Sequence, residues 1–136
     1  MNGLHILAEF HVCEGERRLL RDASQLAALC RRACAEAGLT VVAEAFHQFA
    51  AAGATGALVL AESHLAIHTW PELDSVTVDL YVCNYSQDNR AAAEIAYGVL
   101  AAEFTPRRVV RHEVLRGGTR SVAPDSGDVD ILAGGK

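Results

Sequence analysis

Lysine is almost absent from this chain. The only one is Lys136, the last of 136 residues, so arginine supplies all the other basic side chains. A reaction that needs a carbonyl electron sink therefore cannot draw on a core lysine that holds pyridoxal phosphate. The net charge of −5 and the lack of a basic stripe also argue against nucleic-acid binding. We interpret the short arginine clusters as solvated helix and strand faces.

Other absences narrow the class of protein further. No apolar run approaches the ~18 residues that a membrane span needs, and the N-terminus has no signal-peptide pattern. The four cysteines have no CxxC spacing, which favours reduced thiols and a cytoplasmic location. About half of the chain is apolar and its length suits one domain, so we expect a compact unit over residues 1–116. Residues 117–136 are rich in Gly, Ser, Asp and Pro and predict a flexible tail.

Hydrophobic periodicity predicts six strands and two helices. The strands are expected at 4–12, 39–47, 57–61, 64–69, 75–83 and 108–115. Asp22 or Ser24 can cap a helix that ends near Ala37 before Gly38, and Asn89 can cap a second helix that ends near Phe104. This pattern favours an α+β two-layer sandwich, a mainly antiparallel sheet with both helices on one face. A symmetric dimer would cover the other face and form a larger sandwich.

The segment from Glu62 to Glu72 (ESHLAIHTWPE) concentrates reactive side chains at the end of a predicted buried strand. His64 and His68 stand four residues apart, which on a strand is about 13 Å and too far to share a metal ion. We therefore predict no metal site. From spacing alone, both histidines could still be structural groups with satisfied hydrogen bonds.

Ser63 is a candidate nucleophile without the surroundings of a hydrolase, because no GxSxG elbow is present. Its hydroxyl lies beside the carbonyl of Glu62 by covalent geometry. Attack on that carbonyl would convert the peptide bond into an ester, and loss of the Ser63 α-proton would then break the chain. The resulting dehydroalanine hydrolyses to a pyruvoyl group, an electron sink like pyridoxal phosphate. A strained backbone at Glu62 and a nearby base would promote this sequence.

The motifs identify the chain as similar to a known family. Glu62–Glu72 resembles the processing segment of the small bacterial and archaeal S-adenosylmethionine decarboxylase proenzymes, which are pyruvoyl-dependent. The likeness covers roughly residues 4–116. It includes the Leu-Ala-Glu-Phe at 7–10, the Phe-His-Gln-Phe at 46–49, the Asp-Leu-Tyr-Val-Cys at 79–83 and the Val-Val-Arg-His-Glu at 109–113.

The resemblance implies self-cleavage between Glu62 and Ser63, into a β chain 1–62 and an α chain 63–136. Ser63 would become the pyruvoyl group that forms a Schiff base with the substrate amine. His68 would act in processing, as the base for the Ser63 α-proton, and Thr55 would support processing where the family usually has serine. Cys83 would be the proton donor that acts after CO2 leaves.

The resemblance also implies the substrate contacts. Phe49 and Trp70 match positions that flank adenine, and Leu65 and Glu72 match positions that line the same pocket. Aromatic rings suit adenine and a sulfonium cation, and a carboxylate can accept both ribose hydroxyls. The implied activity is decarboxylation of S-adenosylmethionine to S-adenosylmethioninamine, an aminopropyl donor for spermidine, by a homodimer of processed protomers with active sites near the interface.

Two other functions stay open at this point. The chain has Asn84-Tyr85-Ser86 after Cys83, where many members have a glycine. Some relatives with this scaffold decarboxylate ornithine or arginine with the same pyruvoyl chemistry. A third possibility is an unprocessed, catalytically silent partner. The retained Phe49, Trp70 and Glu72 favour the adenosyl substrate.

Overall fold

A computed structural model describes residues 2–84 and 88–117 of the chain. The elements are, in order, β1 (Gly3–Cys13), α1 (Arg17–Arg21), α2 (Ala23–Ala37), β2 (Val41–Gln48), β3 (Ala54–Leu60), β4 (Ser63–Trp70), a 3-10 turn (Pro71–Leu73), β5 (Ser75–Cys83), α3 (Arg90–Phe104) and β6 (Pro106–Arg116). The six predicted strands and both predicted helices are confirmed. The short helix α1 was not predicted, and β3 begins inside a predicted loop. Apart from Gly117, the predicted tail lies outside the described residues.

The six strands form one sheet in the order β2-β3-β4-β5-β1-β6, and every neighbouring pair is antiparallel. Strand β1, the first in the chain, therefore lies between β5 and β6, which come much later. Helices α2 and α3 pack against each other and against strands of the sheet. The predicted α+β architecture is confirmed.

The helix ends follow from local chemistry. The Asp22 carboxylate accepts hydrogen bonds from the backbone N–H groups of Ser24 and Gln25 and so caps α2. Gly38 ends the helix with φ of 76°, a conformation that costs glycine little. The prediction for α3 is wrong in one respect: Asn89 stands at the N-cap position, but its side chain does not cap the helix. Its amide donates instead to the Cys83 carbonyl, at 2.9 Å.

One face of the sheet and the inner sides of α2 and α3 form the hydrophobic core. Every second residue of the central strands is buried there, and the residues between them are half-exposed. Each fully buried Leu, Ile or Phe contributes about 1.5–3 kcal/mol. The largest fully buried side chains are Leu4, Ile6, Phe10, Leu20, Leu26, Leu58, Leu65, Ile67, Val76, Leu80, Leu100 and Phe104. We call the opposite side of the sheet the open face.

Four non-glycine residues in the described part of the chain have a left-handed backbone, namely Val12, Glu62, Asp74 and Thr105. Ala61 and Glu62 form the two-residue turn of the β3–β4 hairpin, and Glu62 has φ of 69°. Val12 has φ of 53° near the end of β1, where the pairing of β1 with β6 skips one residue. Such a φ is uncommon for a non-glycine residue and an outlier for a β-branched one. The expected strain at the Glu62–Ser63 bond therefore has a structural counterpart.

Candidate active site

The predicted catalytic residues fall into two groups at opposite ends of β4. Ser63 pairs with Leu60 at the start of the strand, and His68 pairs with Thr55 near its end. His68 stands five positions after Ser63, which is about 16 Å along a strand. Because five is an odd number, the strand directs the two side chains to opposite faces. Within one protomer, His68 is thus not placed to remove the Ser63 α-proton.

The first group, which we call the cleavage group, consists of Glu62, Ser63 and Cys83. The backbone N–H of Cys83 donates a hydrogen bond of 3.1 Å to the Ser63 hydroxyl. This contact ties the start of β4 to the end of β5 and fixes the hydroxyl beside the left-handed turn. The structure therefore brings together the predicted cleavage site and the predicted proton donor.

The second group, the aromatic group, consists of Thr55, His68, Trp70, Phe49 and Glu72. The Thr55 hydroxyl is hydrogen-bonded to Nδ1 of His68. The rings of His68 and Trp70 lie 5.9 Å apart on the same side of β4. Phe49 and Trp70 are large hydrophobic side chains that stay exposed, at 47% and 37%. Exposed aromatic rings beside a histidine are available to a flat ligand.

A shallow depression of about 350 Å³ adjoins the Thr55–His68 pair. Its lining residues are Ala45, Phe46, His47, Thr55, Gly56, Ala57, Ala66 and His68. The Phe49 ring packs edge-on against His47 at 4.9 Å, which places it at the margin of this depression. The lining is mostly apolar with a few polar groups, as in many small-molecule sites.

The turn that carries Glu72 is anchored from several sides. The Thr69 hydroxyl accepts from the Ala54 N–H at 2.9 Å and donates to the Leu20 carbonyl at 2.7 Å. The Asp74 carboxylate pairs with Arg17, and the Asp74 carbonyl accepts from the Cys13 N–H at 3.0 Å. The unpredicted helix α1 therefore has a role, because it holds the segment between Trp70 and Asp74 in place.

Leu65 does not join either group. Its side chain is 1% exposed and lies in the core, on the face of the sheet opposite to His68 and Trp70. A side chain that is fully surrounded by core atoms has no free surface for a ligand. The Leu65 side chain therefore supports the sheet beneath the site, and the place of Leu65 in the adenine pocket stays a prediction.

A third group, which sequence reasoning missed, lies on the open face between the other two. The Asp79 carboxylate Oδ1 is 2.5 Å from His5 Nε2 and 3.1 Å from His64 Nε2. Burial opposes ionisation of Asp79, but the hydrogen bonds from the two histidines outweigh it, and the pKa of the carboxyl lies below its usual value. The period-2 patterns around His5 and Asp79 indicated strands, but only the register of β1 against β5 brings the two side chains together.

His5, His64 and Asp79 could together hold a metal ion, because their ligand atoms all lie within 4.8 Å of one another. One contact weighs against that use. Arg116 lies 3.3 Å from Nδ1 of His5, and arginine can only donate. That nitrogen must then accept, which leaves the proton on Nε2, the atom that would bind the metal. The arrangement suits a hydrogen-bonded cluster better than a metal centre.

The other three cysteines are poor candidates for chemistry. Burial raises the pKa of the Cys13 thiol to about 11, with a contribution from the Asp74 charge, and raises that of Cys34 to about 11. Burial raises the pKa of Cys30 as well. A thiol that resists ionisation is inert as a nucleophile. Cys83 differs from them because it lies beside Ser63.

Known proteins with similar sequences share one description. Residues 4–117 match the sequence profile of the S-adenosylmethionine decarboxylase family. The chain is 37% identical over 111 residues to the S-adenosylmethionine decarboxylase proenzyme of Thermotoga maritima, and this covers 82% of each chain. It is 38% identical over 120 residues to the proenzyme of the same description from Symbiobacterium thermophilum, which covers 88% of this chain and 86% of the other.

The fold agrees with a solved member. The crystal structure of the adenosylmethionine decarboxylase from Aquifex aeolicus superposes with a TM-score of 0.79 at 30% identity, over 90% of this chain and 97% of that one. No helix within residues 2–84 and 88–117 is long and apolar enough to cross a membrane. From the sequence profile, the relatives and the shared fold, the chain belongs to the S-adenosylmethionine decarboxylase family.

Proposed function

We propose that the protein is a pyruvoyl-dependent S-adenosylmethionine decarboxylase that cleaves itself between Glu62 and Ser63. The product of the reaction is S-adenosylmethioninamine, an aminopropyl donor for spermidine synthesis. The observation that carries the proposal is the geometry of the cleavage group. Ser63 follows a residue with φ of 69°, and its hydroxyl is held by the Cys83 backbone.

Self-cleavage is favoured by the turn. A left-handed non-glycine residue costs of order 1–3 kcal/mol, and breaking the Glu62–Ser63 peptide bond releases that strain. The Ser63 oxygen accepts the Cys83 N–H, so its own proton is free to leave as it attacks the Glu62 carbonyl. The ester that forms replaces a peptide bond in a strained turn. The residues present therefore fit a pyruvoyl group generated at position 63.

The base for the Ser63 α-proton is proposed to come from a second subunit. His68 lies about 16 Å along β4 from Ser63 in the same protomer. A twofold dimer can place the aromatic group of one protomer beside the cleavage group of its partner, because the two groups lie at opposite ends of the same strand. Each active site would then be built from two chains.

Each remaining residue has a role that its position supports. The pyruvoyl group, once formed, supplies the electron sink for loss of CO2. Cys83 lies next to that position and holds the proton that the substrate carbon receives. Trp70 and Phe49 offer exposed ring faces to adenine and to the sulfonium cation. Glu72 lies on the anchored 3-10 turn and can accept hydrogen bonds from the ribose hydroxyls.

The test is release of CO2 by the purified protein from carboxyl-labelled S-adenosylmethionine, ornithine and arginine, measured side by side. We expect release from S-adenosylmethionine alone. Release from ornithine or arginine would assign the substrate of the alternative function. The matched control is Ser63→Ala, which should stay one chain on a denaturing gel and release no CO2. A wild-type mass that stays equal to the uncut chain after long incubation would overturn the proposal in favour of a silent partner.

A further inference from the structure

We propose that Tyr81 is a positioning residue for the decarboxylation, because its hydroxyl holds the Cys83 thiol in the place and state from which it gives up a proton. The inference rests on the proposed function and deepens it. It concerns a side chain that the assignment of Ser63, His68 and Cys83 leaves without a role.

The backbone places the Tyr81 hydroxyl next to Cys83. The two residues are two apart on β5, so both side chains leave on the open face. On the neighbouring strand, Gly3 stands directly opposite Cys83. A Cβ atom on Gly3 would lie 2.6 Å from the Tyr81 hydroxyl oxygen and 2.5 Å from its Cε1. The phenol ring therefore lies over the bare backbone of Gly3, and its hydroxyl lies beside Cys83, the residue opposite Gly3.

The ring is held in that position by the third group of the site. His5 and His64 each contact it with ring centroids 5.7 Å apart, and Asp79 joins these two histidines by hydrogen bonds. The Arg116 guanidinium lies over the ring, 4.5 Å from its centroid. Charged and titratable groups from β1, β4, β5 and β6 thus surround the phenol. A ring packed on several sides has little freedom to turn away from Cys83.

A hydrogen bond from this hydroxyl to the Cys83 sulfur suits the chemistry of a proton donor. When Cys83 gives its proton to the substrate carbon, the S–H bond breaks, its electron pair stays on sulfur, and a thiolate remains. A hydroxyl that donates to the sulfur stabilises that anion. Burial raises the pKa of Tyr81, and the neighbouring Cys83 raises it further, so the phenol keeps its own proton. The thiolate regains a proton from solvent before the next turnover.

The closing experiment compares Tyr81→Phe with wild type. The variant keeps the ring and its contacts and removes only the hydroxyl. We expect complete self-cleavage, an unchanged KM for S-adenosylmethionine and a kcat lower by about tenfold, which corresponds to one hydrogen bond to a charged group. Tyr97→Phe is the matched control, because Tyr97 also stacks under an arginine, Arg111, at 4.5 Å. It should keep the wild-type kcat.

A second variant reaches the same contact from the other strand. Gly3→Ala would push the far end of the Tyr81 ring away from Cys83, and we expect it to lower kcat as Tyr81→Phe does. The double variant should be no slower than either single one. If the two reductions in kcat multiply in the double variant, the inference is overturned.

The outcomes separate this inference from the proposed function. An unchanged kcat in Tyr81→Phe, or a loss of kcat accompanied by loss of self-cleavage and a raised KM, would overturn the role of Tyr81 alone. Full turnover in Cys83→Ala would instead remove the proton-donor role of Cys83. No CO2 release by the wild-type protein would overturn the activity itself.

Discussion

Ser63 and His68 belong to the same strand, yet they lie at its two ends and their side chains leave opposite faces of the sheet. If each active site combines Ser63 of one protomer with His68 of the partner subunit, two defective chains can repair each other. We expect co-expressed Ser63→Ala and His68→Ala chains to form mixed dimers in which half of the sites process. Differently tagged chains allow the mixed dimer to be purified and its fragments to be counted by mass. Either variant expressed alone is the control, and absence of fragments from the mixed dimer would contradict a shared site.

Thr55 is expected to limit the rate of self-cleavage. Its hydroxyl bonds His68, but its methyl group restricts rotation about χ1. Thr55→Ser keeps the hydroxyl and removes the restriction, so we expect cleavage several-fold faster. Thr55→Val keeps the shape and loses the hydrogen bond, and should cleave about tenfold slower or worse. A time course of the uncut chain on denaturing gels measures both, and equal rates for the two variants would refute this role.

Val12 stores strain that glycine would release. Its φ of 53° is unfavourable for a β-branched residue, whereas glycine adopts it freely. We expect Val12→Gly to raise the free energy of unfolding by about 1 kcal/mol. The matched control is Val109→Gly, because Val109 is a similarly exposed valine in the regular part of β6. This control should lower the free energy of unfolding by a comparable amount. Urea unfolding of both variants measures the difference, and loss of stability in both would show that Val12 is not strained.

Asp79 should make stability depend on acid pH. Its pKa in the folded protein lies below the unfolded value of about 3.9, because the hydrogen bonds from His5 and His64 outweigh the effect of burial. The stabilisation is present above the unfolded pKa and is lost as the pH falls through the folded pKa. Asp79→Asn should therefore have a lower Tm than wild type at pH 7, and this difference in Tm should shrink below pH ~4. A gap in Tm that stays constant from pH 7 to pH 3 would contradict this account.

The strands and the two long helices could be predicted because each rests on local chemistry. Asp22 and Gly38 fix the ends of α2 by short-range hydrogen bonds and backbone conformation, and alternation marks the strands. Asn89 shows the limit of such reasoning, since a carbonyl on β5 competes for its amide. Helix α1 spans only five residues, too few for a clear period.

The candidate site was less predictable than the fold. The motif pointed to Ser63, His68 and Cys83, but the contact between Ser63 and Cys83 depends on the register of β4 against β5, which one sequence does not reveal. The family resemblance implied that Leu65 lines the pocket, but it could not show that the pleat of β4 turns the Leu65 side chain into the core. The contact between His5 and Asp79 joins positions 74 residues apart.

The order of strands also determines what a cut at the β3–β4 turn can do. Residues before Ser63 carry β1, β2 and β3, and residues after Glu62 carry β4, β5 and β6. Because β1 lies between β5 and β6, strands of the two fragments alternate in the sheet, and β3 stays hydrogen-bonded to β4. To separate, the two fragments would have to break three strand interfaces at once. A molecule cut at this turn would thus be held together by its strand pairs, and the loss of one covalent link need not loosen it.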